Sequence, residues 1–188
     1  STQQITSAMK MVSASKLRKV QNAILNMRPY AAKLNGIMQD ISSSLEGESS
    51  NPYTEIRDPE KILIVAISSN RGLCGPFNAN IGKHVIQRVR GVYQKQHKAG
   101  NVDVFTIGKK VYDFLRLRKI KVNQREDDLL DNLNFETALP VAEEIMNKFV
   151  KGNYDRVEIV YNQFKNAAVQ ILKTVQYLPV APPQDTRK

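Results

Sequence analysis

From Leu17 the apolar side chains recur at Val20, Ile24, Met27, Ala31, Leu34, Met38, Ile41 and Leu45, with gaps that alternate between three and four residues. That narrow stripe belongs to a coiled-coil seam rather than to the broader face of a core helix. Upstream, Ile5, Met9 and Val12 continue an apolar line but drift out of the register. Pro29 lies inside the pattern and removes one helical N–H, which predicts a kink near residues 24–25. Gly47, Ser49, Ser50, Asn51 and Pro52 then end the helix. A helix over residues 2–45 would be roughly 65 Å long. The remaining ~130 residues should fold into a body only about 35–40 Å across. The helix is therefore expected to project as a rod whose seam needs a partner, because a lone helix with an exposed stripe is marginal in water.

The rest of the sequence holds no second helix of that length. The seam must pair with another copy or with a helix outside these residues, and we expect the second. The sequence starts at Ser1 within helical pattern, and Pro179, Val180, Ala181, Pro182, Pro183, Gln184 and Asp185 read as a linker leading onward. The chain is thus expected to be a fragment.

After a linker the period changes. Residues 61–68 (KILIVAIS) form a nearly continuous apolar run, as in a strand buried on both faces. Residues 78–98 carry helical spacing, 102–108 (VDVFTIG) a strand, 109–117 a short helix and 120–123 a third strand. Residues 135–151 read as a helix stopped by Gly152, and 156–163 (RVEIVYNQ) as a fourth strand. Over 169–178 the apolar residues Val169, Ile171, Val175 and Tyr177 alternate, predicting a half-buried fifth strand. Alternating strands and helices imply an α/β fold, a Rossmann-like, mostly parallel sheet sandwiched by helices. Too few residues separate the last two strands for a crossover, so that pair should be antiparallel. The expected organisation is a shaft helix at 1–46, a linker at 47–60, an α/β foot at 61–180 and a second linker at 181–188.

Charge adds a feature that the pattern hides. The chain has 188 residues, a net charge of +10 and a pI near 9.7, and 41% of its residues are apolar, enough for a core. Residues 1–39 hold six basic residues and no acid, and residues 83–125 hold twelve basic residues against two acids. Blocks of this kind attract nucleic acid, anionic lipid or an acidic protein surface, or are solvated faces with no fixed partner. No stretch approaches the ~20 uncharged apolar residues of a membrane-spanning helix. The single cysteine, Cys74, cannot form an internal disulfide, which fits a reducing compartment.

The run Ser68, Ser69, Asn70, Arg71, Gly72, Leu73, Cys74 and Gly75 follows the first strand and precedes a helix, where a phosphate loop would sit. It matches neither phosphate template, lacking both a Lys-Ser/Thr pair after Gly75 and a Gly-x-Gly-x-x-Gly run. A tight turn that uses the glycines for backbone freedom is the simpler reading. Cys74 could be a thiolate near a helix N-terminus, but a buried small hydrophobe is expected instead. Glu126, Asp127, Asp128 and Asp131 read as a solvated loop rather than a metal site, and His97 and Lys98 as partners of a helix dipole. With His84, His97 and Cys74 alone, a Cys/His zinc site cannot be assembled. The seven tyrosines are scattered without forming a base-stacking platform. No catalytic, cofactor or metal residue is assigned.

The run ITSAMKMVSASKLR over residues 5–18, Arg28-Pro29-Tyr30, the turn at 68–75 and Tyr161-Asn162-Gln163-Phe164 together resemble the gamma-subunit family of F-type ATP synthase along nearly the whole chain. The resemblance implies a central-stalk rotor that couples proton flow to ATP synthesis or hydrolysis, without catalysing either reaction itself. Its missing partner would be a C-terminal helix of the same protein. The implied partners are the alpha and beta subunits, the epsilon subunit and the ring of c subunits, with no cofactor, no nucleic acid and membrane contact only through partners. The implied location is peripheral, on the cytoplasmic side of the cell inner membrane or the equivalent matrix side. Met9, Lys10, Lys16 and Arg18 would face an acidic catch loop of beta. Leu17, Val20, Ile24, Met27, Leu34, Met38 and Ile41 would form the shaft seam. Asn70, Arg71, Gly72, Leu73, Cys74 and Gly75 would form the family turn. The redox-regulated cysteine insertion of the chloroplast branch is absent. The alternatives are a basic nucleic-acid-binding α/β domain with a coiled-coil arm, and a nucleotide-dependent enzyme binding at residues 72–75.

Overall fold

Six residues without a polar side chain, Ile62–Ile67, form the central strand β1. The computed structural model of the chain describes residues 2–44, 51–166 and 168–180. Strands β2 (Val102–Ile107) and β4 (Arg156–Phe164) flank β1 in parallel. A short β3 (Gln124–Glu126) adds in parallel to β2, and β5 (Gln170–Leu178) adds antiparallel to β4. The order β3-β2-β1-β4-β5 is that of a doubly wound sheet with one reversed edge. Period-two alternation along β1 divides the core in two. Ile62, Ile64 and Ala66 face one apolar cluster, while Leu63 and Val65 face the other.

The first cluster lies under α2 (Phe77–Gln87) and α4 (Lys109–Leu117). These two helices touch at Gly82, where a β-carbon would lie 2.2 Å from Phe114 Cδ1, so only glycine permits the approach. The second cluster lies under α5 (Phe135–Val150), through Ile145 and Phe149. Its start is fixed by a capping box: Thr137 N–H donates to Asn134 Oδ1 at 2.9 Å and Asn134 N–H donates to Thr137 Oγ1 at 3.1 Å. Residues 51–60, read from sequence as linker, are packed on the body. Tyr53 and Arg57 lead this, with Arg57 donating to Phe149 O at 3.1 Å and Val180 N–H donating to Tyr53 O at 2.8 Å.

The described residues fall into two compact units, one holding helix α1 (Thr2–Ser44) and the other this α/β body. α1 is one helix that continues through Pro29. Leu45 and residues 46–50 lie outside the described residues, as do residues 181–188.

Four expectations need correction. The helix expected over 78–98 is three pieces: α2, a π-turn (Arg88–Val92) in which Tyr93 N–H reaches Arg88 O at 2.8 Å, and α3 (Gln94–Lys98). The third strand sits at 124–126, not 120–123. Ile120 is instead buried at the foot of α4, and Asn123 turns its side chain to accept from Val104 N–H at 3.3 Å. Along β5 the alternating Ile171 and Val175 remain 39% and 45% exposed, because the helix on that face packs over the central strands; Leu172 and Thr174 point toward α2 instead. Cys74 is exposed, not buried.

Candidate functional site

The turn after β1 is built from its own motif. Ser68 is 5% exposed, and its Oγ accepts from Val111 N–H at 3.0 Å, joining the end of β1 to α4. Asn78 Oδ1 accepts from Ser69 N–H at 3.1 Å, and Asn78 Nδ2 donates to Arg71 O at 3.2 Å. Asn70 reaches both ways, accepting from Lys109 N–H at 3.0 Å and donating to Asp127 O at 2.8 Å. Three chain segments are thereby clamped at the end of the sheet where the parallel strands finish. The polar groups of the turn are spent on one another rather than aimed at a common ligand.

What the clamp holds out is Leu73. Its φ is +61° and its side chain is fully exposed, and Arg71 and Cys74 beside it are exposed too. A non-glycine residue held in the left-handed region costs about 1–2 kcal/mol. That cost is offset by the clamp around it. Gly75 also has a positive φ of +56°, but Gly72 does not, so the expected glycine freedom is used at one of the two sites and a leucine takes the other.

Along α1, Leu17, Val20, Met27 and Leu34 are 47%, 56%, 65% and 46% exposed, and Ile24 is half-buried. The side chains of Met38 and Ile41 lie outside the described residues. Met9 is 65% exposed and shares the side of the seam. Lys10, Lys16 and Arg18 are exposed as well. At about 100° per residue, Lys10, Lys16, Arg18 and Lys19 fall near 100°, 340°, 180° and 280° around the axis from Met9. The structure does not gather these candidates into one patch. They girdle the helix.

One group escaped the sequence reading. Glu158 on β4 is 5% exposed and accepts from Arg88 Nε at 2.9 Å and from Tyr93 Oη–H at 2.5 Å, with a second Arg88 bond from Nη2. Burial pulls the Arg88 pKa down, but the bonds and charge of Glu158 more than reverse this. Burial, then Glu158, raises that of Tyr93. The trio ties the π-turn to the sheet. Its sequence signal was the acid set between Val157 and Ile159, the sole acid of that strand. Nearby, His84 Nε2 lies 2.7 Å from Thr174 Oγ1, joining α2 to β5.

The chain is 51% identical to the ATP synthase gamma chain of Flavobacterium johnsoniae, over 97% of its own length and 62% of the relative's. It is 48% identical to that of Cytophaga hutchinsonii, over 96% and 61%. The chain thus spans about three fifths of the length of these curated relatives. Among solved structures, it is similar to a chain of the Tetrahymena thermophila mitochondrial ATP synthase central stalk and c-ring. That match has 29% identity and a TM-score of 0.68, and covers 93% of this chain and 72% of the other. A chain of the Euglena gracilis mitochondrial enzyme gives 25% and 0.57, covering 94% and 52%. The family model for ATP synthase is matched from residue 1 to residue 188, and the chain belongs to that family.

Proposed function

We propose that the chain is the greater part of a central-stalk gamma subunit, which transmits rotation between a proton-driven c-ring and the catalytic alpha/beta hexamer. Residues 1–46 would be one strand of the shaft, 47–60 and 181–188 connecting segments, and 61–180 the foot. The observation that carries this reading is the girdle of cations on a helix with no acid before Asp40, in a chain about half identical to ATP synthase gamma chains.

A shaft that turns inside a ring must not bind one orientation too tightly. Long-range attraction between a cationic collar and acidic loops is screened over about 8–10 Å and carries little steric preference. Spreading Lys10, Lys16, Arg18 and Lys19 around the axis evens that field through a full turn. The exposed seam from Leu17 to Leu34 would be closed by a second helix from the remaining part of a relative-length protein, and the pair would resist twist as a single helix cannot. The chain itself would perform no chemistry. Its partners would be the alpha, beta, epsilon and c subunits, and its membrane association peripheral. The clamped turn, with Leu73 and Arg71 at its tip, would be a second partner contact.

The test is reconstitution of a relative-length version with alpha and beta subunits. Co-purification as a complex with rotation-dependent ATPase activity is expected. Failure to associate would overturn the reading. Met9→Lys in that complex should lower the ATP made per proton while leaving assembly intact, because an added ammonium beside acidic loops forms an ion pair that must be broken at each step. Unchanged coupling would remove Met9 from the contact.

A further inference from the structure

The end of the α/β body where the parallel strands begin differs in character from the clamped turn at the other end. There the last turn of α4 meets the π-turn, and Arg90 Nη2 donates to Arg118 O at 3.0 Å, joining them. Arg118 lies flat on Phe114, 3.5 Å from the ring centroid, and donates to Phe114 O at 3.2 Å. Arg116, Lys119 and Lys121 flank Arg118 along the chain, all exposed, and residues 114–125 contain no acid. Amid these cations two apolar side chains stand out into solvent, Leu117 at 76% and Val92 at 57% exposure.

We propose that this helix-end surface is a peripheral docking site for anionic lipid headgroups. The inference goes beyond the rotor reading and does not rest on it. Charge complementarity selects an anionic partner. The protruding leucine and valine select among anions: an apolar tip between cations suits a headgroup layer, where it enters the acyl boundary while the bases stay among phosphates. A nucleic acid would gain nothing from Leu117. The nearby rings that could stack on bases, Phe114 and Tyr112, already carry Arg118 on one and Arg116 and Arg125 on the other. An acidic protein would need a desolvated apolar core at the contact, whereas here the apolar groups are single and separated by flexible bases. No helix among the described residues is long and apolar enough to cross a membrane, so the contact would be interfacial.

The experiment is co-sedimentation of the 188-residue chain with vesicles of phosphatidylcholine alone or mixed with phosphatidylglycerol. Because α1 is itself basic and exposed, two triple variants are compared, R116Q/K119Q/K121Q in the body and K16Q/R18Q/K19Q in the helix, each checked for an unchanged melting curve. We expect binding only to the anionic vesicles, with a loss of roughly tenfold or more in the body variant and a smaller loss in the helix variant. Leu117→Ser, which leaves the charge intact, should also weaken binding severalfold. Vesicle binding that survives the body variant and vanishes in the helix variant overturns the proposal. So does a body variant that loses binding while Leu117→Ser does not, since that result describes a generic cationic face.

Discussion

Leu17 and Leu115 are the same residue in the same kind of helix, yet one is 47% exposed and the other fully buried. The difference lies in what the surrounding chain offers. α4 places Leu115 and Val111 onto a sheet whose facing strand residues, Ile64 and Val104, are themselves inaccessible. α1 carries a longer apolar stripe and receives no such cover along Leu17, Val20, Met27 and Leu34. Apolar periodicity therefore states that a helix has a face to bury, not that its own chain buries it. In the body that demand is met. In α1 it is not met along those four residues.

The largest effect that would sharpen this contrast is in the core. Leu115→Ala should cost about 2–5 kcal/mol of unfolding free energy, from lost transfer and a residual cavity. Leu17→Ala should change stability by only a few tenths, because an exposed helical leucine and alanine differ little. Urea unfolding of both variants, followed by tyrosine fluorescence and far-ultraviolet circular dichroism, gives the comparison. A Leu17→Ala cost near that of Leu115→Ala would mean that the seam is already packed in the isolated chain.

Next in size is the buried ion pair of the body. Glu158→Gln leaves Arg88 and Tyr93 facing a neutral amide in a site only 5% exposed at residue 158, and should destabilise the body by about 3 kcal/mol. Replacing both partners, Arg88→Met with Glu158→Met, should recover much of that loss, since a buried pair exchanged for apolar groups is often neutral. If the double variant is as unstable as the single one, the π-turn depends on the pair for its geometry as well as its charge.

These two residues also mark how far the sequence could be read. Four strands of the sheet were legible because β1 is an apolar run of strand length and β2, β4 and β5 are rich in β-branched and aromatic residues, and the antiparallel edge followed from a connection too short for a helix. The clamped turn was legible as a motif, but its geometry was not. Nothing local says that Asn70 reaches Asp127, 57 residues away, or that Leu73 rather than Gly72 takes the left-handed backbone. The π-turn was hidden for a similar reason. Its spacing continues a helix, and Glu158, which accepts from Arg88 at the start of that turn, lies 70 residues farther along the chain. On α1 the stripe and the bases were plain, and the spread of the bases around the axis follows from helical periodicity of about 100° per residue.

A smaller effect separates the units by pH. Burial, and then the charge of Arg88, hold the His84 pKa below its ordinary 6.5. The unfolded chain therefore takes up that proton first as pH falls. The contribution of His84 is fully present above about pH 6.5 and is lost below it, down through the folded-state pKa. Urea midpoints measured from pH 8 to pH 5 should decline in this window, and His84→Gln should flatten the decline while keeping a side-chain bond to Thr174. α1 contains no histidine, so its helical signal should not follow the same curve. A decline unchanged by His84→Gln would assign the titration elsewhere.

The smallest expected change in stability is at Leu73, and it probes the turn most cleanly. Glycine would relieve the strained φ of +61° but would add entropy to the unfolded chain, and the two contributions are of similar size and opposite sign. Leu73→Gly should therefore shift the unfolding free energy by less than about 0.5 kcal/mol. The side chain touches nothing that it could loosen, because it is fully exposed. A partner that uses this knob would feel its removal as a loss of apolar contact worth up to about 2 kcal/mol, or roughly thirtyfold in affinity. Equal stability with weakened assembly in the reconstituted complex would establish that the clamp exists to present Leu73. Equal stability with equal assembly would leave the turn as a structural closure of the sheet, with its exposed leucine incidental.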